Sequence, residues 1–567
     1  MKIIARLLVL VLILVGAAYY VFLIPPKPPE RQVFINGKVL TMDAQNRIAE
    51  AVVIERDRIV AVGSKEDVAT YMDGAEVHDL GGKTLIPGFI DAHGHFPGSG
   101  LQSVTANLSS PPVGDVTDIE GVIEKLKPWA ESKAPGEWIV GFSYDDTLLA
   151  EKRHPTREEL DRVSTEHPIL LIHVSGHLGV ANSAALKLAG FSEDTPDPEG
   201  GVIVRDPVTG ALTGLLEEDA LVPIQMQALD FSTTEVLSIL RFAVDDYASQ
   251  GVTTAQSGAL DEKMLKGLLS ASRFNQVPFR LELWPEYRLM GDKVLTGEVD
   301  LEALNTDHAR AKTIKIVADG SIQGFTGFLS HPYHTPFRGD EHYKGYPIFP
   351  REKLAQIVSS LHEAGYQMAI HGNGDGAIDD IIYAFNEAQK VRPDDDPRLI
   401  LIHAQMARDD QLDEMKRLGI TPSFFSAHTY YWGDRHRDIF MGPERAFRMS
   451  PAQSALQREL PFTIHLDTPV VPMQPMLLVW SAVNRLSTSG QVIGEEQRIT
   501  PMQALRATTI NAAWQIFQEH ERGSIEVGKL ADLVVLNGDP LINPEAIKDI
   551  QVVQTLVGGV TIFERDK

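Results

Sequence analysis

Between about residue 85 and residue 515 one arrangement recurs eight times: a short apolar run, then a stretch with helical spacing. The runs fall at 85–91, 252–256, 279–284, 313–318, 367–370, 399–402, 420–424 and 462–466. Helical stretches such as 351–364, 377–390 and 409–418 separate the later ones. Strands that alternate with helices pair in parallel, because each crossover helix returns the chain to the same end of the sheet. Eight such units close a barrel. The expected fold class is therefore α/β, a (β/α)8 TIM barrel. Pro422 interrupts the seventh run and is tolerable only near a strand end.

Two parts of the chain fall outside this repeat. The stretch from about 96 to 245 is too long for a connecting loop. It holds further apolar runs at 138–142 and 169–173 and a hairpin signal at Asp206-Pro207-Val208-Thr209-Gly210. It is read as a large insertion after strand 1, lying over the barrel mouth. The two chain ends carry short β-branched runs. Those at 33–64 are broken by Asn36-Gly37 and Asp43-Ala44-Gln45-Asn46, and others lie at 531–536, 552–556 and 560–563. Neither end has enough strands for an independent sheet. The economical arrangement is one small β-sandwich built from both ends; two separate hairpins packed on the core are the alternative. The expected division is a leader at 1–30, sandwich at 31–84, barrel with its insertion at 85–515, and sandwich again at 516–567.

The leader is an address rather than part of the fold. Lys2 and Arg6 precede an uncharged apolar run at 7–24, and Pro25-Pro26-Lys27-Pro28-Pro29 then stops any helix. At 1.5 Å per residue the run spans about 27 Å, enough to cross a bilayer. It reads as an N-terminal membrane anchor, oriented with the rest of the chain outside the cytoplasm. The other reading is a signal peptide cleaved near Gly16-Ala17-Ala18. Both export the remainder, to the periplasm in a Gram-negative cell.

Composition narrows the chemistry. Asp plus Glu is 77 against 52 Lys plus Arg, a net charge of −25. Such a chain repels nucleic acid and anionic headgroups, so no nucleic-acid partner is expected. The absence of Cys excludes disulfide scaffolds, thiolate zinc sites, iron–sulfur clusters and a cysteine nucleophile. Any metal must rest on His and carboxylates.

Those residues cluster where a barrel places its active site, at the carboxyl ends of the strands. His93-Gly94-His95 follows the first run. Side chains at i and i+2 of an extended chain point the same way, so both rings can reach one cation. Alone, the pair is more ordinarily two satisfied polar side chains. His371 ends the fifth run, His403 the sixth and Asp467 the eighth, and Lys315 lies within the fourth. Converging nitrogen and oxygen donors suit zinc or a similar divalent ion. A lysine in an apolar strand is costly unless paired or neutralised. An ordinary ion pair, or an outward-facing lysine, is one account of Lys315. A low-pKa amine that adds carbon dioxide, forming a carbamate able to bridge two metals, is the other.

The set His93, His95, Lys315, His371, His403 and Asp467 resembles that of the amidohydrolase superfamily. So do the lead-in Ile86-Pro87-Gly88-Phe89-Ile90-Asp91-Ala92-His93 and the closing Gly528-Lys529-Leu530-Ala531-Asp532-Leu533. Four further segments resemble the YtcJ-like branch, which includes N-substituted formamide deformylase-like enzymes. They are Ile314-Lys315-Ile316 before Asp319-Gly320-Ser321, His371-Gly372-Asn373-Gly374-Asp375, His177 with Asn182-Ser183-Ala184-Ala185-Leu186, and Asp467-Thr468-Pro469-Val470. The resemblance implies one metal on His93, His95 and Asp467 and a second on His371 and His403, with carbamylated Lys315 between them. One or two Zn2+ ions are expected. It further implies hydrolysis of a C–N bond, in a small amide or N-formyl or N-acyl compound, by metal-activated water. Asp467 is then the proton acceptor, and His177 reaches over the site as a second catalytic residue.

His465 departs from the branch, which usually has a small residue there. It either faces the same mouth or hydrogen-bonds within the barrel. His428, Tyr431 and Trp432, in the loop after the seventh run, are candidate substrate contacts, with packing against the insertion as the alternative. His331, His334, His342 and His436 lie in polar loops and read as surface residues. The same centre also serves lactone or phosphotriester hydrolysis. A non-catalytic exported binding or regulatory protein on this scaffold is the reading from a different class, although none of the six candidate ligands is missing. A homo-oligomer is left open.

Overall fold

The computed structural model describes residues 26–565. The apolar run at 7–24 therefore lies outside the described residues, and among those described no helix is long and apolar enough to cross a membrane.

The strands expected of the barrel form two parallel sheets. One orders Ala309–Arg310, Arg280–Pro285, Val252–Leu260 and Phe89–Ile90. The other orders Thr313–Val317, Gln367–Gly372, Leu399–His403, Ile420–Phe424 and Thr463–Ile464. The two meet at both flanks. A parallel bridge pairs Glu286 with Lys315 on one side. On the other, the Asp467 N–H donates to the His93 carbonyl at 3.2 Å and the His95 N–H to the Thr468 carbonyl at 2.8 Å. Pro422 sits opposite Leu401 in mid-strand, but the outer strand engages only Ser423 and Phe424. Its missing donor is thus needed on one side at most.

The intervening helices bury one apolar face against these sheets. Leu354, Ile357, Val358 and Leu361 of Arg351–Glu363 share a core with Met368 and Ile370 of the following strand. Helix Asp409–Leu418 ends at Gly419, whose left-handed φ of 71° turns the chain straight into Ile420–Phe424.

One expectation needs correction. The run at 85–91 is not a single strand. Thr84–Pro87 belongs to a terminal sheet, paired with Lys38–Leu40 and Leu533–Leu536, whereas Phe89–Ile90 pairs with Val252–Leu260. Gly88 is the break. A Cβ there would lie 2.2 Å from the Thr253 side chain, so only glycine lets the chain change sheets at that point.

The chain ends interleave as expected. A six-stranded sheet orders Val560–Glu564, Val552–Val557, Leu533–Leu536, Thr84–Pro87, Lys38–Leu40 and Ile48–Ala49. A four-stranded sheet orders Arg58–Gly63, Ala51–Glu55, Arg31–Ile35 and Glu76–Asp79. Their shared core holds Phe34, Val52, Ile54, Leu85, Leu533 and Val535. The buried pair Arg280–Asp532, at 2.9 and 3.2 Å, ties it to the parallel strands.

The stretch after the first parallel strand builds a mixed six-stranded sheet with its own core. Its order is Gly201–Arg205, Leu212–Glu218, Leu178–Ala181, Ile169–His173, Ile139–Tyr144 and Ala106–Asn107. The hairpin at Asp206 forms because its carboxylate accepts from the Val208 and Thr209 N–H groups.

Candidate metal centre

Strand ends bring the six candidate ligands to one place. The Nε2 atoms of His93 and His95 lie 3.3 and 3.1 Å from Asp467 Oδ1, and His403 Nε2 lies 3.8 Å from Asp467 Oδ2. Lys315 Nζ is 3.2 Å from His93 Nε2, and the rings of His371 and His403 are 4.6 Å apart. Five of the six are buried, while the His95 side chain is 33% exposed and marks the open side. Trp284 stacks on His93 at 5.6 Å, the ring planes nearly parallel at 8°.

Three of the four imidazoles have their outer nitrogen fixed by a protein acceptor. Gln256 Oε1 lies 3.0 Å from His93 Nδ1 and also accepts from the Gly94 N–H at 2.7 Å. That second bond identifies the oxygen end of the amide, so His93 carries its proton on Nδ1. His95 Nδ1 donates to the Gly258 carbonyl at 3.2 Å. His371 Nδ1 donates to Asp319 Oδ1 at 3.1 Å, and Asp319 is itself held by the N–H groups of Asn373 and Gly374. Each ring is left with an unprotonated Nε2, the arrangement of a metal-ligating histidine.

The donor set fits a divalent cation. His95 Nε2 faces Asp467 Oδ1 with no hydrogen between lone pair and carboxylate, and that oxygen is buried without a hydrogen-bond donor. Such a contact is unfavourable unless a cation lies between the two. A tetrahedral ion with bonds of about 2.0–2.1 Å sets its ligands about 3.3 Å apart. The observed 3.3 and 3.1 Å match that edge, and the ligand atoms of His93, His95 and Asp467 form one group of metal-binding size.

Electrostatics agree with this. Burial, then Lys315, drives His93 well below the usual histidine range, and burial, then His371, does the same to His403, so both rings are neutral. Burial raises Asp467, but its close contacts with His95, His93 and His403 bring it well below the ordinary carboxylate range. Burial brings Lys315 down to about 7 despite Asp467 and Glu286. Burial lowers His177, yet the Glu218 carboxylate, 2.8 Å from its Nδ1, leaves the ring raised overall. The His177 ring lies 5.1 Å from that of His371.

Sequence reasoning gave no role to Gln256, Asp319 or Glu218. Asp319 lies just past the carboxyl end of Thr313–Val317, which was the available signal, whereas Gln256 closes the second apolar run but sits inside the longer strand Val252–Leu260. Nothing local marks Glu218, which reaches His177 across the inserted sheet. His465 hydrogen-bonds within the fold, between Ser423 and His403.

His428, Tyr431 and Trp432 are all buried. Trp432 Nε1 donates to Asp145 Oδ2 of the inserted sheet at 3.0 Å. With Gly98, Arg435, Thr468 and Pro469, Tyr431 and Trp432 line a cavity that reaches the neighbour of Asp467 in the chain but none of the six candidate ligands. They therefore pack on the insertion and border this space at once. His331, His334 and His342 are exposed, but His436 is not a surface residue. It is fully buried under the aromatic loop, where Gln405 Nε2 donates to its Nε2 at 3.0 Å. A second cluster, Asp145, Asp146 and His173, lies in the insertion. There the Ser175 N–H donates to His173 Nδ1 at 3.2 Å, so the ring's proton sits on Nε2 and is given to Asp146 at 3.1 Å. That cluster is a closed hydrogen bond and offers no free imidazole donor.

Residues 76–563 match the amidohydrolase family, and the chain belongs to that family. Among its relatives, an N-substituted formamide deformylase from Arthrobacter pascens is 30% identical over 94% of this chain and 98% of its own length. The protein YtcJ of Bacillus subtilis (strain 168) is 27% identical over 94% of this chain and 100% of its own. An uncharacterized metal-dependent hydrolase from Pyrococcus horikoshii OT3 shares the fold, with a TM-score of 0.72 and 24% identity over 91% of this chain and 99% of that one.

Proposed function

We propose that the chain is a metal-dependent hydrolase that cleaves a C–N bond in a small amide, N-formyl or N-acyl compound. The observation that carries this reading is the meeting of unprotonated His93 and His95 nitrogens with the buried, donor-less Oδ1 of Asp467. Two further supports are membership of the amidohydrolase family and full-length similarity to a deformylase. In this reading Ala309–Arg310 and Thr313–Val317 are two parts of one strand, the two parallel sheets are one eight-stranded barrel, and the centre occupies its carboxyl-terminal mouth under the insertion.

His93, His95 and Asp467 would hold one divalent ion, with His371, His403 and Lys315 completing the set. Such an ion, zinc foremost, brings the pKa of water near neutrality and polarises a carbonyl. The chain's own residues do the rest. Ionised Asp467 takes a proton from the attacking water and passes it to the leaving nitrogen. His177, held through Nδ1 by Glu218, presents Nε2 toward the substrate. Lys315, part neutral near pH 7, adds its Nζ to carbon dioxide; an N–C bond forms, a proton leaves, and a cation becomes a carboxylate. Tyr431 and Trp432 offer apolar surface to the substrate beside Thr468, with His428 behind them.

Zinc analysis of the purified protein, together with turnover of N-formyl and N-acyl amides, lactones and phosphotriesters, tests the reading. Tightly held zinc and chelator-sensitive amide hydrolysis are expected. Turnover confined to lactones or phosphotriesters, or a protein that neither holds metal nor turns over any of them, refutes it.

The uncharged apolar run at 7–24, after Lys2 and Arg6, supports export of this activity from the cytoplasm, anchored or released. A reporter active only in the exported state, fused after residue 30, should be active. An uncleaved, soluble cytoplasmic chain would contradict export.

A further inference from the structure

His403 is the one imidazole of the four whose outer nitrogen meets no carbonyl or carboxylate. Its Nδ1 lies 3.1 Å from Nε2 of His465. Two neutral imidazoles in contact leave open which ring donates, and hence which nitrogen of His403 is free. The surrounding hydrogen bonds settle this. Gln515 Nε2 donates to the Ala92 carbonyl at 2.9 Å, which fixes the amide and leaves Oε1 as an acceptor only. Thr463 Oγ1 lies 2.6 Å from that Oε1, so the single hydroxyl proton of Thr463 is spent there. Thr463 Oγ1 is also 2.8 Å from Ser423 Oγ. With the threonine proton used, Ser423 must be the donor in that contact. Ser423 Oγ, 2.9 Å from His465 Nδ1, then has only lone pairs to offer, so His465 donates from Nδ1. His465 Nε2 is left as an acceptor, and His403 must donate to it from Nδ1.

We infer that the chain Ala92–Gln515–Thr463–Ser423–His465 is a one-way hydrogen-bond relay that fixes the tautomer of His403. Its result is an unprotonated Nε2 on His403, facing Asp467 at 3.8 Å. Every side chain in the relay is buried, so water cannot replace a missing link cheaply. The origin is also meaningful. Ala92 precedes His93, so the backbone that presents the first ligand sets the proton on another ligand across the barrel. His465 is a positioning residue that does for His403 what Gln256, Gly258 and Asp319 do for the other three. A small residue at 465 would have no ring to accept from His403.

The first test is independent of the proposed function. In zinc-free protein labelled with 15N-histidine, the His403 ring should show the Nδ1–H form. A dominant Nε2–H form overturns the relay. The second arm rests on the metal reading and measures zinc dissociation by competition with a chelator. His465→Phe keeps the bulk but removes the acceptor, and should raise the zinc dissociation constant about 10–100-fold, the usual effect of removing a ligand's supporting partner. His465→Gln restores an acceptor oxygen and should recover most of the loss. Phe and Gln variants that both bind zinc as the parent does would overturn the inference. If His465→Phe does not fold, Thr463→Val removes one hydroxyl further away, freeing the Ser423 proton, and should shift the His403 15N signals; unchanged signals overturn the relay. A parent protein without zinc affinity would defeat the metal reading alone, since the tautomer measurement still decides the relay.

Discussion

Asp467→Asn should lower turnover at least about 10²-fold, the scale of a lost general base, while most of the bound metal remains. The substitution keeps the volume and one ligand oxygen but removes both the charge and the proton acceptor. Retention of metal is expected because His93, His95, His371 and His403 stay in place, each with a hydrogen-bonded outer nitrogen. Loss of all metal would make Asp467 mainly a ligand. Wild-type turnover with wild-type metal would remove it from the chemistry. The acidic limb of the parent's pH–rate profile should report the assembled centre and not one residue, because Asp467 lies within 4 Å of three imidazoles. Asp467 itself ionises well below the ordinary carboxylate range. The limb should therefore not sit at the pKa of a free aspartate.

The parts of this molecule legible in the sequence are those whose causes are local. Ile169–His173 and Leu399–His403 coincide with apolar runs because burial on both faces demands uninterrupted apolar side chains. The six candidate ligands were legible because parallel strands put their carboxyl ends at one edge, so position along a run carried spatial meaning. What was not legible depended on distant partners. The break at Gly88 exists because of Thr253. The proton on His93 is set by Gln256, 163 residues away in sequence. His436 lies in a polar stretch, yet the chain tucks it beneath the aromatic loop against His428 and Gln405. Composition reports the average surroundings of a segment and cannot report which single side chain turns inward.

Lys315→Ala should lower turnover by about 10³-fold or more, since catalysis through a divalent ion is worth several kcal/mol and this side chain stands at its centre. Metal content should fall with it. Two accounts of the residue predict different rescue behaviour. If Lys315 acts as an ammonium, paired with Asp467 and the backbone-bridged Glu286, small amines should restore activity. If it acts as a carbamate, short carboxylic acids should restore it, because they supply the missing bidentate oxygen donor. The buried surroundings sharpen the comparison. Lys315 is only 2% exposed, so removing the side chain leaves a closed space large enough for formate or acetate. Lys315→Met fills that space without supplying any ligand. Acids should therefore rescue the alanine variant and fail with methionine, while both remain folded. Rescue of neither by acids, with rescue of alanine by amines, would assign the lysine to charge balance. A fully active alanine variant would make it structural.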